Sequence, residues 1–139
     1  ETMDSYIEFA KQGYKGEELG GLADAATVAA NVADLTSQSA AGYLTGTLVQ
    51  WKKESSEAMD IIDKWNAISN DYATTTENLA QGQMRAAATA KSYGMEMEQL
   101  NAVVGTVTAM TKQSGNEVGK LIADIKRVIC GKPLRVFFY

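Results

Sequence analysis

Apolar residues recur every three or four positions along nearly the whole chain, the spacing that lines one face of an α-helix. Near the start, Tyr6, Phe9, Ala10 and Tyr14 share a face, and Gly13 and Gly16 then punctuate the chain. A second helix is expected over about Glu17 to Ala33, with Leu19, Leu22, Ala26, Ala29 and Val32 as its stripe. Asp34, Leu35 and Thr36 read as a turn with capping residues. A third helix follows through Ala40, Tyr43, Leu44, Thr47, Leu48 and Trp51.

Ser55 or Ser56 can cap a fourth helix whose face is Ala58, Ile61, Ile62, Trp65, Ile68 and Tyr72. Thr74 with Glu77 has the spacing of a capping box and opens a fifth helix through Leu79, Met84, Ala87 and Ala88. Gly94 is placed to end it in the left-handed conformation. The sixth helix carries Met97, Leu100, Val103, Val104, Val107 and Met110. Ser114 with Glu117 forms another capping box, opening a seventh helix through Val118, Leu121, Ile122, Ile125 and Ile129, which Gly131 and Pro133 stop. The expectation is an all-α bundle of about six or seven helices, each roughly 25–30 Å long and arranged as helical hairpins. A shift of sixty residues places Glu17, Leu19, Ala26, Ala30, Lys52, Glu57 and Ile62 on Glu77, Leu79, Ala86, Ala90, Lys112, Glu117 and Ile122. This faint self-match leaves a duplicated helical unit open.

Composition agrees with the pattern. The 139 residues suffice for one domain, with 45% hydrophobic and 22% charged residues. The single proline, Pro133, stands almost at the end, which suits an uninterrupted series of helices. A net charge of −4 repels phosphate, so specific nucleic-acid binding is not expected. The basic group Lys126, Arg127, Lys132 and Arg135 is read as a solvated helix end. No stretch reaches the ~18–20 apolar residues of a membrane span. The first residue is Glu1 and no signal peptide is evident, so the chain is read as a piece of something longer.

With no histidine, Ser-His-Asp and Cys-His catalysis and His-ligated zinc are excluded. One cysteine, Cys130, cannot form an intramolecular disulfide and is read as a buried structural thiol. Asp60, Asp63, Asn66, Asn70 and Asp71 form an oxygen-rich stripe. It lacks the glycine turn of a calcium loop and is read as a wet helix face, with Asn66 and Asn70 as candidate polar contacts fixing helix register. Met59, Met84, Met95, Met97 and Met110 could mark an adaptable surface, and core packing is the favoured reading. Gly42, Gly46, Gly82, Gly105 and Gly119 fall inside predicted helices, where each costs ~1 kcal/mol relative to alanine. Close helix crossing is favoured over deliberately weakened helices as their explanation. No catalytic, cofactor-binding or metal-ligating residue is assigned, and no enzyme activity is expected.

Taken in order, several segments resemble the core region shared by many bacteriophage tail tape-measure proteins. The similar text begins at Glu18-Leu19 and runs through Leu22-Ala23-Asp24-Ala25-Ala26 and Ala30-Asn31-Val32-Ala33. It continues in Ala58 through Asn66, Ser69 through Ala73, Leu79-Ala80 and Arg85-Ala86-Ala87. After the Gly94 break it runs from Leu100 through Thr108 and closes with Thr111 through Gly119. Asp63-x-x-Asn66…Asn70 and Ser114-Gly115-Asn116-Glu117 are the most telling pieces, while Trp65 stands where the family more often has a smaller aliphatic residue.

On this reading residues 1–16 are an N-terminal helix, 17–127 the tape-measure-like core, and 128–139 a divergent or truncated end. The resemblance implies a structural virion component that sets tail length during assembly. It implies residence in the tail lumen, and in the bacterial host cytoplasm during assembly. The partners it implies are tail tube and tail-tip proteins and tail assembly chaperones, beside self-association through helices. The alternative is a helical interaction module of a phage-like injection machine or a prophage remnant.

Overall fold

The computed structural model describes residues 2–33 and 35–126. Among them are seven α-helices and no strand. The helices are α1 (Thr2–Lys11), α2 (Glu17–Ala33), α3 (Ser37–Trp51), α4 (Ala58–Asp71), α5 (Thr76–Ser92), α6 (Met97–Thr111) and α7 (Gly115–Lys126), with a 3-10 turn, Ser55–Glu57, leading into α4. The helix expected over Glu17 to Ala33 has those bounds. Arg127, Ile129, Cys130, Gly131, Lys132, Pro133 and Arg135 lie outside the described residues, as do the boundary drawn at 127 and the segment 128–139.

Helix ends follow local chemistry, with two corrections. Thr36 caps α3, its hydroxyl oxygen accepting the Ser39 N–H at 3.1 Å. Ser114 and Glu117 form the expected box: the Glu117 N–H donates to the Ser114 hydroxyl at 3.2 Å, and the Ser114 N–H to the Glu117 carboxylate at 3.3 Å. Gly94 has φ +75°, the left-handed stop that glycine adopts without a Cβ clash. The fifth helix, however, is capped by Thr75, which accepts the Asn78 N–H at 3.0 Å. Thr74 is instead buried and shares a 2.7 Å hydrogen bond with Thr108 of α6. Neither Ser55 nor Ser56 caps the fourth helix. Both lie inside the 3-10 turn, and the Glu57 carboxylate reaches back to the Glu54 N–H at 2.8 Å.

The self-match at sixty residues extends to the backbone. Helices α3 and α6 both have 15 residues, and their starts (Ser37, Met97) and ends (Trp51, Thr111) are sixty apart. The residues after them, Lys52 and Lys112, are the two non-glycine residues with positive φ among those described, at 53° and 60°. Helices α1 and α4 end sixty apart at Lys11 and Asp71, and α2 and α5 are both 17 residues long. Burial follows the same period. Ser37, Ala40, Ala41, Leu44, Thr45 and Leu48 are buried on α3; on α6 so are Met97, Leu100, Asn101, Val104, Gly105 and Thr108. Two three-helix units, α2–α4 and α5–α7, therefore follow one another, and α1 stands to α2 as α4 stands to α5.

Each helix packs on the next one and on the next but one along the whole chain. The core runs through both units, from Phe9 and Leu22 through Leu44, Ile61 and Trp65 to Leu79, Leu100 and Val104. Alanines at 25, 26, 29, 40 and 41 line the contacts of the first unit, where small side chains let helix axes approach. In the second unit glycines join the buried alanines at 80, 86, 87 and 90 in this role. A Cβ on Gly119 would lie 2.7 Å from the Arg85 Cβ and 3.1 Å from the Gly82 Cα, and one on Gly115 would overlap the Asn78 carbonyl. Tight crossing thus explains Gly82, Gly115 and Gly119. Gly42 meets nothing within 4 Å, so packing does not explain it.

Candidate interaction grooves

The stripe Asp60, Asp63, Asn66, Asn70 and Asp71 lies along α4 as a solvated face: all are exposed except Asn66, which is half-buried. Among the described residues no three His, Cys, Asp or Glu side chains cluster as metal ligands would. Asp60 pairs with Lys64 at 2.8 Å, and Lys64 reaches across to Glu98 of α6, also at 2.8 Å. Hydrogen bonds to the two carboxylates raise the Lys64 ammonium well above its ordinary value. The bond from Lys64 lowers the Glu98 carboxyl, and the Glu54 N–H lowers that of Glu57.

Polar contacts between helices run chiefly through amides that the periodicity did not single out. Gln83 and Asn101 are buried, and they connect two tryptophans. The Trp51 indole N–H donates to the Gln83 Oε1 at 2.7 Å, and the Trp65 indole N–H donates to the Asn101 Oδ1 at 3.1 Å. The Gln83 Nε2 closes the chain by donating to the Asn101 Oδ1 at 2.6 Å and to the Met97 carbonyl at 3.1 Å. One network thereby ties α3, α4, α5 and α6 in fixed register, the task first assigned to Asn66 and Asn70. A second set docks α7: its Gly115 N–H donates to the Asn78 Oδ1 at 2.9 Å, its Asn116 N–H to the Gln81 Oε1 at 3.2 Å, and Arg85 Nε donates to the Asn116 Oδ1 at 2.5 Å. Side chains of α5 thus satisfy N–H groups that a helix N-terminus leaves free.

The methionines divide. Met97 is in the core and Met84 and Met95 are half-buried, but Met59 and Met110 face outward, against the expectation of general core packing. Met110 is 80% exposed, and Tyr72, Val103, Leu121 and Ile125 are exposed apolar residues as well. Val32, expected on the stripe of α2, is also exposed.

Two shallow grooves lie beside the second helix of each unit. The first, about 320 Å³, is lined by Gln12, Gly42, Thr45, Gly46, Val49 and Gln50. The second, about 300 Å³, is lined by Ile68, Tyr72, Ala102, Gly105 and Thr106. Tyr72, Ala102, Gly105 and Thr106 stand sixty residues after Gln12, Gly42, Thr45 and Gly46, so one groove recurs. Its floor is made of small residues, and it carries no convergent set of charged groups. Such a surface suits packing against a helix more than holding a small polar ligand.

No described helix is long and apolar enough to cross a membrane. Residues 1–125 match the protein family described as phage-related minor tail protein, a span that takes in α1 as well as both units. No solved structure matches the chain.

Proposed function

Because the chain belongs to the family of phage-related minor tail proteins, we propose that it is part of a tape-measure protein, a structural element whose length sets the length of the tail. Family membership supports a structural role in a phage tail. The finer reading draws on the ordered resemblance of residues 17–127 to the tape-measure core. The observation that carries it is the sixty-residue period. A chain made of equivalent units, each packed only on its chain neighbours, can be lengthened or shortened by whole units without redesigning a common core. A ruler needs that property. On this reading the protein works without catalysis, lies in the tail lumen, and meets tube, tip and chaperone proteins during assembly in the host cytoplasm.

The test is made in the phage that carries the sequence. Deleting residues 53–112 in frame joins Lys52 to Gln113 at equivalent positions and removes one period. Tails measured by electron microscopy are expected to shorten by up to about 90 Å, the rise of sixty helical residues. Duplicating the same stretch lengthens them by a similar amount. Tails of unchanged length in both phages would overturn the ruler and favour a helical interaction module.

A further inference from the structure

The two units seat their third helix on their first at equivalent positions, but with different chemistry. In the second unit the Asn78 Oδ1 accepts the Gly115 N–H at 2.9 Å, and the Gln81 Oε1 accepts the Asn116 N–H at 3.2 Å. Sixty residues earlier Glu18 stands for Asn78 and Ser55 for Gly115, and these two also meet. The Ser55 hydroxyl donates to the Glu18 carboxylate at 3.3 Å. Gln81 is matched by Gly21, which has no side chain to offer. Charged contacts take over: Lys53 reaches Glu57 at 3.2 Å, and Lys64 ties Asp60 to Glu98 of α6, both at 2.8 Å. Each helix has a carboxylate in its cap, Glu57 or Glu117. Beyond that cap, the side-chain contacts at the start of α7 use neutral acceptors, whereas those between Lys53 and Lys64 use carboxylates.

We infer that the seat of the start of α4 on α2 and α6 is an acid-sensitive joint, and that its counterpart, the seat of α7 on α5, is not. A protonated carboxyl no longer attracts an ammonium, and one of its acceptor oxygens becomes a donor. A side-chain amide does not titrate, so Asn78 and Gln81 accept the same N–H groups in acid as at neutral pH.

The charged groups around the joint are few. Glu18 comes from α2, Lys53 and Glu54 from the linker, and Glu96 and Glu98 from α6. Lys91 of α5 lines the same groove as Lys53, Glu96 and Glu98, and α3 carries no charged residue. The lysines keep their charge throughout the acid range, so acid removes only their negative partners. Glu57 titrates below its ordinary value of 4.5 because it accepts the Glu54 N–H and pairs with Lys53, and Glu98 does so because Lys64 bonds to it. The joint is therefore whole above that value and loosens as pH falls through the lower folded ones. Ala58, Ile61, Ile62 and Trp65 are buried and hold α4 in the core at any pH. What opens is the 3-10 turn and the first turns of α4, and because the carboxylates are exposed the change is a few-fold.

The test is amide hydrogen exchange in the full chain, with α7 as the internal reference. The ratio of protection in residues 58–64 to protection in α7 is measured at about pH 6.5 and about pH 3.5, on either side of the carboxylate range. It is expected to fall about two- to five-fold in acid. The variant Glu18→Gln/Glu57→Gln/Glu98→Gln gives the first unit the kind of acceptor that the second unit uses, and most of the fall should disappear. Equal loss of protection in the two helices overturns the inference. So does a larger loss in α7, or a fall of the same size in the triple variant.

Discussion

Gln83 and Asn101 are bonded side chain to side chain in the core, the Gln83 Nε2 donating to the Asn101 Oδ1 at 2.6 Å. Each also takes an indole N–H from a different helix. The Asn101 Nδ2 has no hydrogen-bond partner among the described residues, so the network costs something to keep. Its return is register, because a one-turn slip of α6 on α5 would break it.

The network can be measured as a coupled pair. Asn101→Leu strands the Trp65 N–H in the core and is expected to cost about 2 kcal/mol, as unsatisfied buried donors do. Gln83→Leu is expected to cost about 1–2 kcal/mol, less because Trp51 is partly exposed and its N–H can find water. The double replacement should cost less than the sum by about 0.5–1 kcal/mol in urea unfolding. Strict additivity would show that the two amides do not act together.

The helical glycines separate into two kinds, and alanine substitution distinguishes them. Gly42 is exposed with open space around it, so Gly42→Ala should raise stability by about 0.5–1 kcal/mol through helix propensity alone. Gly119 meets the backbone of Gly82 and the Cβ of Arg85, so Gly119→Ala should lower it by about 1–3 kcal/mol as α7 is pushed off α5. Thermal melts of the two variants read the difference in sign. A loss at Gly42 would mean that its face is covered in solution.

Lys64 gives the fold a small pH dependence. The folded Glu98 carboxyl titrates below its ordinary value of 4.5 because Lys64 bonds to it. The stabilisation is therefore complete above that value and lost as pH falls through the lower folded one. Lys64, raised in the folded state, contributes fully below its ordinary value of 10.5 and loses its share as strong base is reached. Glu98 is about half exposed, so solvent screening holds the effect to well under about 1 kcal/mol. Lys64→Met should flatten the acid limb of the stability curve by a few tenths of a kcal/mol, and added salt should shrink the difference. Identical acid limbs would remove the α4–α6 bridge from the account of stability.

Much of this architecture was legible in the chain, because helical periodicity records which side faces inward. The bounds of α2, the stop at Gly94 and the Ser114–Glu117 box are each set by residues within one turn. The Ser114-Gly115-Asn116-Glu117 segment proved informative for a second reason: Ser114 and Glu117 close the cap, Gly115 permits contact with Asn78, and Asn116 engages Gln81 and Arg85. The buried amides were missed because a polar residue is ordinarily assigned to the wet face. Their signal was position: Gln83 stands four after Leu79 and Asn101 lies between Leu100 and Val104, both on apolar stripes. Their equivalents sixty residues earlier, Ala23 and Ala41, are buried too. The cap at Thr75 escaped notice because a neighbouring hydroxyl competed for the same role, and only the contact of Thr74 with Thr108, 34 residues away, decides between the two.

The habit by which each helix leans only on the next and the next but one has a mechanical consequence. A load applied at one end meets two neighbours at most, since no substantial contact reaches farther along the chain. Traction would therefore peel the fold a helix at a time, as a seam is unpicked, with many small ruptures in place of one large yield point. Each step pays out slack while the rest stays folded.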